Sequence, residues 1–463
     1  MRHHQPTTFR RGRRALALVP LFLAACDSAP EAVVSPVTDE RSAVEWLRTN
    51  AASVRSVQFD DTNYADLQPL RAAIGNARVV MLGESTHGDG TAFRAKARLV
   101  RFLHEEMGFD VLAFEGGLYD MEQAWQQVRR GTPALAAVRE SLFEIWTYSQ
   151  EVQPLFEYVG QRATSARPLE LAGFDSQFTG PLVSGGTGAT FAATLEAYLA
   201  SRGSPFINTP EWPAFRAVVD RIARQVYRRT RPDAAERESF AFGMPWLTVE
   251  LSRLQAASPS LESARWKQIG DALDAQGRAW FVYWEPVRGT DYSTIRDSSM
   301  ARNLHWLATS AYPGRKIVVW AANAHIGNGV QRVLNPSGTA PLYPATSFIP
   351  MGEIARRLLP GQVYSVGFVA GGGRTGPARV REGELSPPTT LAPPMVGSWE
   401  WLFLRTERPY LFLDLVGNAP NGSWVRGPRI ARPLGNVHAL ADWSTVFDGL
   451  FFVAQMEAAT AGL

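Results

Sequence analysis

The stretch Val79–Gly90, VVMLGESTHGDG, decides the fold of this chain of 463 residues. Its first four residues are all apolar, with no polar alternation, which is the pattern of a strand buried on both faces. Gly83 ends the run, and Glu84 and His87 follow at once. Phe93, Ala97, Val100, Leu103 and Met107 then recur at helical spacing, with Gly108 as a stop. A buried strand running into an amphipathic helix is the opening of a βαβ unit.

The same alternation extends outward. Short apolar runs at Val79–Gly83, Val111–Glu115, Leu169–Phe174, Lys316–Ala322 and Val363–Ala370 predict strands, separated by longer helical patterns. The fold class expected is therefore α/β, with a mainly parallel central sheet and helices on both faces. From about 190 to 288 helical patterns continue without strands, predicting a helical insertion over the site. Thr209 and Pro210 read there as an N-cap and first-turn pair, and Phe215, Val218, Ile222 and Val226 as one apolar face. Ser184–Gly188 and Gly371–Pro394 are rich in Gly and Pro and predict long surface loops that border the site. The chain carries no internal repeat.

Composition sets further bounds. At 45% hydrophobic residues, the chain can bury a sizeable core. Residues 1–25 differ: Arg10, Arg11, Arg13 and Arg14 precede an apolar run, Ala15–Ala24, too short to span a bilayer. This is the pattern of a signal peptide. It ends in Leu23, Ala24, Ala25 and Cys26, which resembles a bacterial lipobox, so Cys26 is the expected lipid attachment site. Residues 26–42 then form a flexible tether, and the folded body runs from 43 to 463. The expected localisation is outside the cytoplasm, with the membrane engaged through the N-terminal lipid only. Cys26 is the sole cysteine, so neither a disulfide nor a thiolate metal cage is available. Subtracting the five arginines of the leader from the net charge of +3 leaves −2. No basic run interleaves with aromatics, so nucleic acid is not an expected partner.

The mature chain has five histidines: His87, His104, His305, His325 and His438. His87 and His325 each lie just beyond a strand, and strand carboxyl ends in an open parallel sheet line the edge where ligands bind. His104 and His305 sit inside helical patterns and read as packing residues. His438 has no acidic neighbour and takes no role. Glu84 and Glu115 end two strands at the same edge, and an imidazole base needs a carboxylate or carbonyl on its other nitrogen. Asp175, ending AGFD, reaches the same edge, and Trp146 in FEIWTYSQE is a candidate for a substrate wall. Ser85 lacks the G-x-S-x-G elbow of a nucleophilic serine.

LGESTHG, FRAKARLVRFL, VLAFEGG, AGFD and WAANAH occur here in the order seen in erythromycin esterases, and the chain resembles that family from about Val79 onward. The resemblance implies ester or macrolactone hydrolysis by water, with His87 as general base, Glu84 and Glu115 in support, His325 as the second histidine and Lys96 at the basic position. It implies no cofactor and no covalent intermediate. His325 or Lys96 is then expected to stabilise the oxyanion or protonate the leaving alcohol. Two departures stand out. Lys96 replaces the arginine usual in antibiotic-inactivating members, and Ala322 stands where many members carry a further histidine, AHNAH. Two other readings stay open: the same four His and Glu residues as ligands of a divalent metal in a hydrolase or protease, and a lipid-anchored binding protein that kept the pocket.

Overall fold

Val79 and Met81 pack into one hydrophobic core and Val80 and Leu82 into another, one core on each face of the strand. The computed structural model that shows this describes residues 40–180, 186–224, 230–343, 348–377, 387–417 and 424–462. The leader and Cys26 lie outside them. Glu40–Ser42, assigned above to the tether, already form the first turn of a helix, Glu40–Asn50.

Twelve strands are described: β1 (Ala52–Ser53), β2 (Val79–Leu82), β3 (Phe109–Gly117), β4 (Glu170–Asp175), β5 (Lys316–Trp320), β6 (Val363–Ala370), β7 (Arg374–Thr375), β8 (Thr389–Thr390), β9 (Tyr410–Asp414), β10 (Arg429–Leu434), β11 (Val437–Ala441) and β12 (Gly449–Val453). Eight form one sheet in the order β1-β9-β12-β6-β2-β5-β3-β4. From β12 to β4 every pairing is parallel, and β9 and β1 add an antiparallel edge. The α/β class and the covered, mostly parallel sheet are as the sequence predicts.

All five predicted strands exist, with ends displaced by no more than two residues. β5 stops at Trp320 rather than Ala322, because the next backbone groups serve side chains: Ala321 O accepts from Lys96 and Ala322 N donates to Glu115. The helix after β2 runs Gly90–Met107 and ends at Gly108, whose φ of 73° is the left-handed conformation glycine adopts without penalty.

Helices Thr187–Ser201, Trp212–Ala223, Ala234–Ala257 and Leu261–Trp284 follow, with no strand between them among the described residues. Their apolar faces, including Phe191, Phe215, Leu247 and Trp280, join the core on the Val79 and Met81 face. Three readings need correction. Thr209 closes a short 3-10 turn, and the helix starts at Trp212 with Pro213 in its first turn, so the cap position, Glu211, lies two residues later than expected. Of the expected face, Phe215, Val218 and Ile222 are buried, and Val226 lies outside the described residues. Thr187 and Gly188, expected in a loop, open a helix tied down by a hydrogen bond from the Thr187 hydroxyl to Asp120. Within 371–394, β7 and β8 pair as a short ribbon. Among the described residues no helix is long and apolar enough to cross a membrane.

Phe114 of β3 is fully buried, with ring centroids 5.4 Å from Trp320, 5.6 Å from Phe156 and 6.0 Å from Trp146. Phe114→Ala should cost about 3–5 kcal/mol through lost burial and the cavity left behind. Urea unfolding followed by tryptophan fluorescence checks this; a loss below about 1 kcal/mol would contradict the packing of this aromatic floor.

Candidate active site

Four adjacent parallel strands, β2, β5, β3 and β4, deliver Glu84 and His87, His325, Glu115 and Asp175 to one edge of the sheet. Gly83 lets β2 turn out of the sheet here; a Cβ at this position would stand 1.9 Å from the Asn323 Oδ1 atom. The first cluster centres on Glu84, which is wholly buried. Its Oε1 accepts from His87 Nδ1 at 2.9 Å and from Trp146 Nε1 at 3.1 Å, and its Oε2 from Lys96 Nζ. A carboxylate taken out of water is costly unless its oxygens are met by charge and hydrogen bonds, and here both are.

Lys96 is wholly buried behind Glu84, its Nζ 4.1 Å from the centroid of Trp320. Burial pushes its ammonium down to about 8 against the pull of Glu84. Lys96 therefore holds Glu84 and does not face a substrate, which corrects its expected part at the oxyanion or leaving group. Trp146 is likewise wholly buried, edge-on to His87 at 5.4 Å, so it supports the histidine from behind and forms no substrate wall.

The His87 side chain is 41% exposed. With Nδ1 committed to Glu84, Nε2 makes no hydrogen bond among the described residues. Desolvation of the ring opposes its charge, but the bond to Glu84 and the nearby Glu115 prevail and raise its pKa above the ordinary value.

The second cluster contains two residues that sequence reasoning missed, Arg296 and Asp297 on helix Tyr292–Trp306. Arg296 Nε lies 3.1 Å from both Asp175 oxygens, and its Nη2 donates to Asp175 Oδ2 at 2.6 Å and to Glu115 Oε1 at 2.7 Å. Burial resists this guanidinium's charge, yet Asp175 and Glu115 hold its pKa well above normal. His325 Nδ1 lies 2.8 Å from Asp297 Oδ1 and Nε2 lies 3.3 Å from Glu115 Oε1. Burial opposes the charge on His325 too, but Asp297 and Glu115 outweigh it and raise its pKa to about 10. Glu115, despite burial, is held well below the carboxylate range by His325 and Arg296. A signal for the missed pair was present: Asp297, Met300, Ala301 and Leu304 form one buried helical stripe, with a charge at a core position.

Ser85 Oγ donates to Phe368 O at 2.9 Å, leaving it unsuited to attack. His104 lies between Tyr158 and Arg167 O and is pushed down to about 4 by burial, as a packing histidine. His438 accepts from Met395 N at 3.2 Å, away from the cluster. Among the described residues no three His, Cys, Asp or Glu side chains gather as metal ligands. Glu84 and Glu115 instead spend their oxygens on Lys96, His87, Trp146, Arg296, His325 and Ala322 N.

Segment Glu457–Gly462 fastens the loop that carries His87 to the turn that carries Trp146. Gly90 N donates to Glu457 O at 2.8 Å and Ala459 N to Gly88 O at 3.0 Å, while Gln150 N donates to Thr460 O at 2.9 Å and Gly462 N to Tyr148 O at 2.7 Å. On the loop's inner side Asp89 accepts from Thr86 and Thr375 hydroxyls at 2.7 and 2.6 Å.

A sequence profile described as erythromycin esterase matches residues 104–456. YbfO of Bacillus subtilis (strain 168), provisionally assigned as a hydrolase, is 24% identical over 95% of this chain and 97% of its own length. A crystal structure from Bacillus cereus superposes with a TM-score of 0.74 at 18% identity, covering 92% of this chain and all of that one. A mutant of the erythromycin esterase EreC in its open conformation superposes with a TM-score of 0.65 at 17% identity, covering 89% of this chain and 99% of that one. At these identities the structural matches speak for the fold.

Two outcomes follow from the charges. Lys96→Met leaves Glu84 buried without its cation and should cost about 3–5 kcal/mol in urea unfolding; an unchanged midpoint would mean the pair is not formed. His325, with its folded pKa raised from 6.5 to about 10, contributes stability that is complete below 6.5 and is lost as pH rises through 10. Lys96, with its pKa lowered, acts in the opposite sense above about 8. Stability should therefore decline from pH 6.5 to 8, and Asp297→Asn should flatten that decline; identical slopes in both proteins would refute the assignment.

Proposed function

The chain belongs to the erythromycin esterase family, and from that premise we propose that it opens an ester or lactone bond with water activated by His87, without a covalent intermediate. That it is a hydrolase follows from the family. The observation that carries the finer reading is the His87 imidazole itself, with Nδ1 fixed on buried Glu84 and Nε2 presented at the sheet edge. Glu84 sets the tautomer and stabilises the imidazolium that forms, and a raised pKa makes His87 a stronger base.

In this mechanism a water proton passes to His87 Nε2 while the water oxygen bonds to the carbonyl carbon, and the π pair becomes an oxyanion. Collapse of that intermediate breaks the bond to the alkoxy oxygen, which takes the proton back from His87. The products are an acid and an alcohol. We also propose that the chain acts outside the cytoplasm on a lipid tether at Cys26, on the strength of the leader sequence.

His87→Ala should lower hydrolysis of 14- and 16-membered macrolides or simple aryl esters about 10²- to 10⁴-fold with the fold retained by circular dichroism. Turnover that survives loss of His87, or that disappears on treatment with chelator, would overturn the reading. Because Glu84 helps to raise the His87 pKa, the acid limb of kcat/KM should lie above pH 6.5 and shift to lower pH in Glu84→Gln.

A further inference from the structure

Water attack places a negative charge on the carbonyl oxygen, and that charge needs a donor already in position. The polar groups nearest His87 do not qualify. Lys96 is sealed beneath Glu84. Trp146 Nε1 and Ser85 Oγ donate to Glu84 and Phe368 O. Both nitrogens of His325 face carboxylates, Asp297 and Glu115.

Arg296 differs. Nε and Nη2 are spent on Asp175 and Glu115, and those bonds fix the plane of the guanidinium. Its Nη1 approaches only His325 Nε2, at 3.3 Å. His325 is cationic at neutral pH, so that approach joins two donors and leaves the Nη1 hydrogens without an acceptor among the described residues. The Arg296 side chain is 15% exposed, as is that of His325. The three carboxylates around the pair, Glu115, Asp175 and Asp297, are exposed by no more than 3%. The open face of this cluster is thus cationic and its acids lie behind it. Three carboxylates also outnumber the two cations, which keeps two positive groups in contact when no anion is bound.

We infer that Arg296, through Nη1, forms an anion site at the sheet edge that binds a tetrahedral oxyanion, and that it receives the carbonyl oxygen during hydrolysis. Asp175 and Glu115 are the positioning residues for this donor. The second half of the inference rests on the esterase reading above, whereas the first half is a binding property that needs no turnover.

Calorimetric titration of the full chain with methylphosphonate, a stable tetrahedral anion, tests the site directly. Wild type and His87→Ala should bind it with similar affinity. Arg296→Met should lose at least tenfold. Arg296→Lys keeps the charge that the surrounding carboxylates require, and so the fold, but one ammonium cannot serve Asp175, Glu115 and the ligand together; it should also bind at least tenfold more weakly. Absence of phosphonate binding in the wild type, or equal binding in folded Arg296→Lys, would overturn the site. On any ester that the wild type hydrolyses, kcat of Arg296→Lys should fall about 10²- to 10³-fold with little change in KM. Hydrolysis with unchanged kcat in that variant would sink the inference and leave the esterase reading intact. Phosphonate binding that depends on Arg296, with no hydrolysis by any variant, would sustain the site and sink the esterase reading.

Discussion

The site depends on a single buried carboxylate. Glu84 is wholly buried and accepts from Lys96, His87 and Trp146, three residues on three separate segments. An ionised group so far from water is tolerable only with every one of these partners in place. The folding requirement and the requirement of the proposed chemistry are therefore the same: the arrangement that satisfies Glu84 also fixes the His87 tautomer and turns Nε2 outward. Segment Glu457–Gly462 belongs to this arrangement, because it pins both the Gly88–Gly90 loop and the Tyr148–Gln150 turn. A stretch more than 350 residues from His87 thereby contributes to its position.

The second cluster works by a different balance. Around His87 one carboxylate faces one lysine, and the imidazole keeps a large exposed surface. Around His325 three carboxylates surround an arginine and an imidazole that is only 15% exposed. The two histidines are accordingly driven to different tasks. His325 stays cationic through the neutral range, its pKa being about 10, while His87 keeps one ring nitrogen open at the sheet edge. In the proposed mechanism this divides two like groups into a fixed charge and a base, a recurrent device of acid–base sites.

Much of this was legible in the sequence, and the physical reason is the pleat of the sheet. A strand covered on both faces must be apolar throughout, so Val79–Leu82 and the run from Ile317 to Trp320 announce themselves, and the first polar residue beyond each marks the edge where chemistry collects. That logic found His87, Glu84, Glu115, Asp175 and His325. It failed for Arg296 and Asp297 because its marker belongs to strands; the signal available on their helix was the charge of Asp297 on an otherwise apolar stripe, and that does not say which groups the charge meets. It also misread Lys96 and Trp146. Lys96 was expected at the site through the family resemblance and Trp146 as a candidate wall, but the side on which each lies depends on the packing of Gly90–Met107 and the Trp146 turn against Glu84, a tertiary property.

The placement of Lys96 bears on the substrate. Arginine in its place would meet Glu84 with a broad fork, and lysine meets it with a compact charge over Trp320. Either way the residue lies beneath Glu84, so the exchange changes how Glu84 is held rather than what touches a substrate. Differences in substrate choice must then arise where the chain faces the opening of the site. The end of β4 is not such a place: Asp175, Ser176 and Gln177 are buried there against Ile269, Ala272 and Leu273 of helix Leu261–Trp284, around a space that fits no more than a water molecule. The same face includes the buried Ser176 hydroxyl, which has no hydrogen-bond partner among the described residues. That packing holds Asp175 behind Arg296, so the groups left to discriminate among substrates are those on the exposed side of His87 and Arg296.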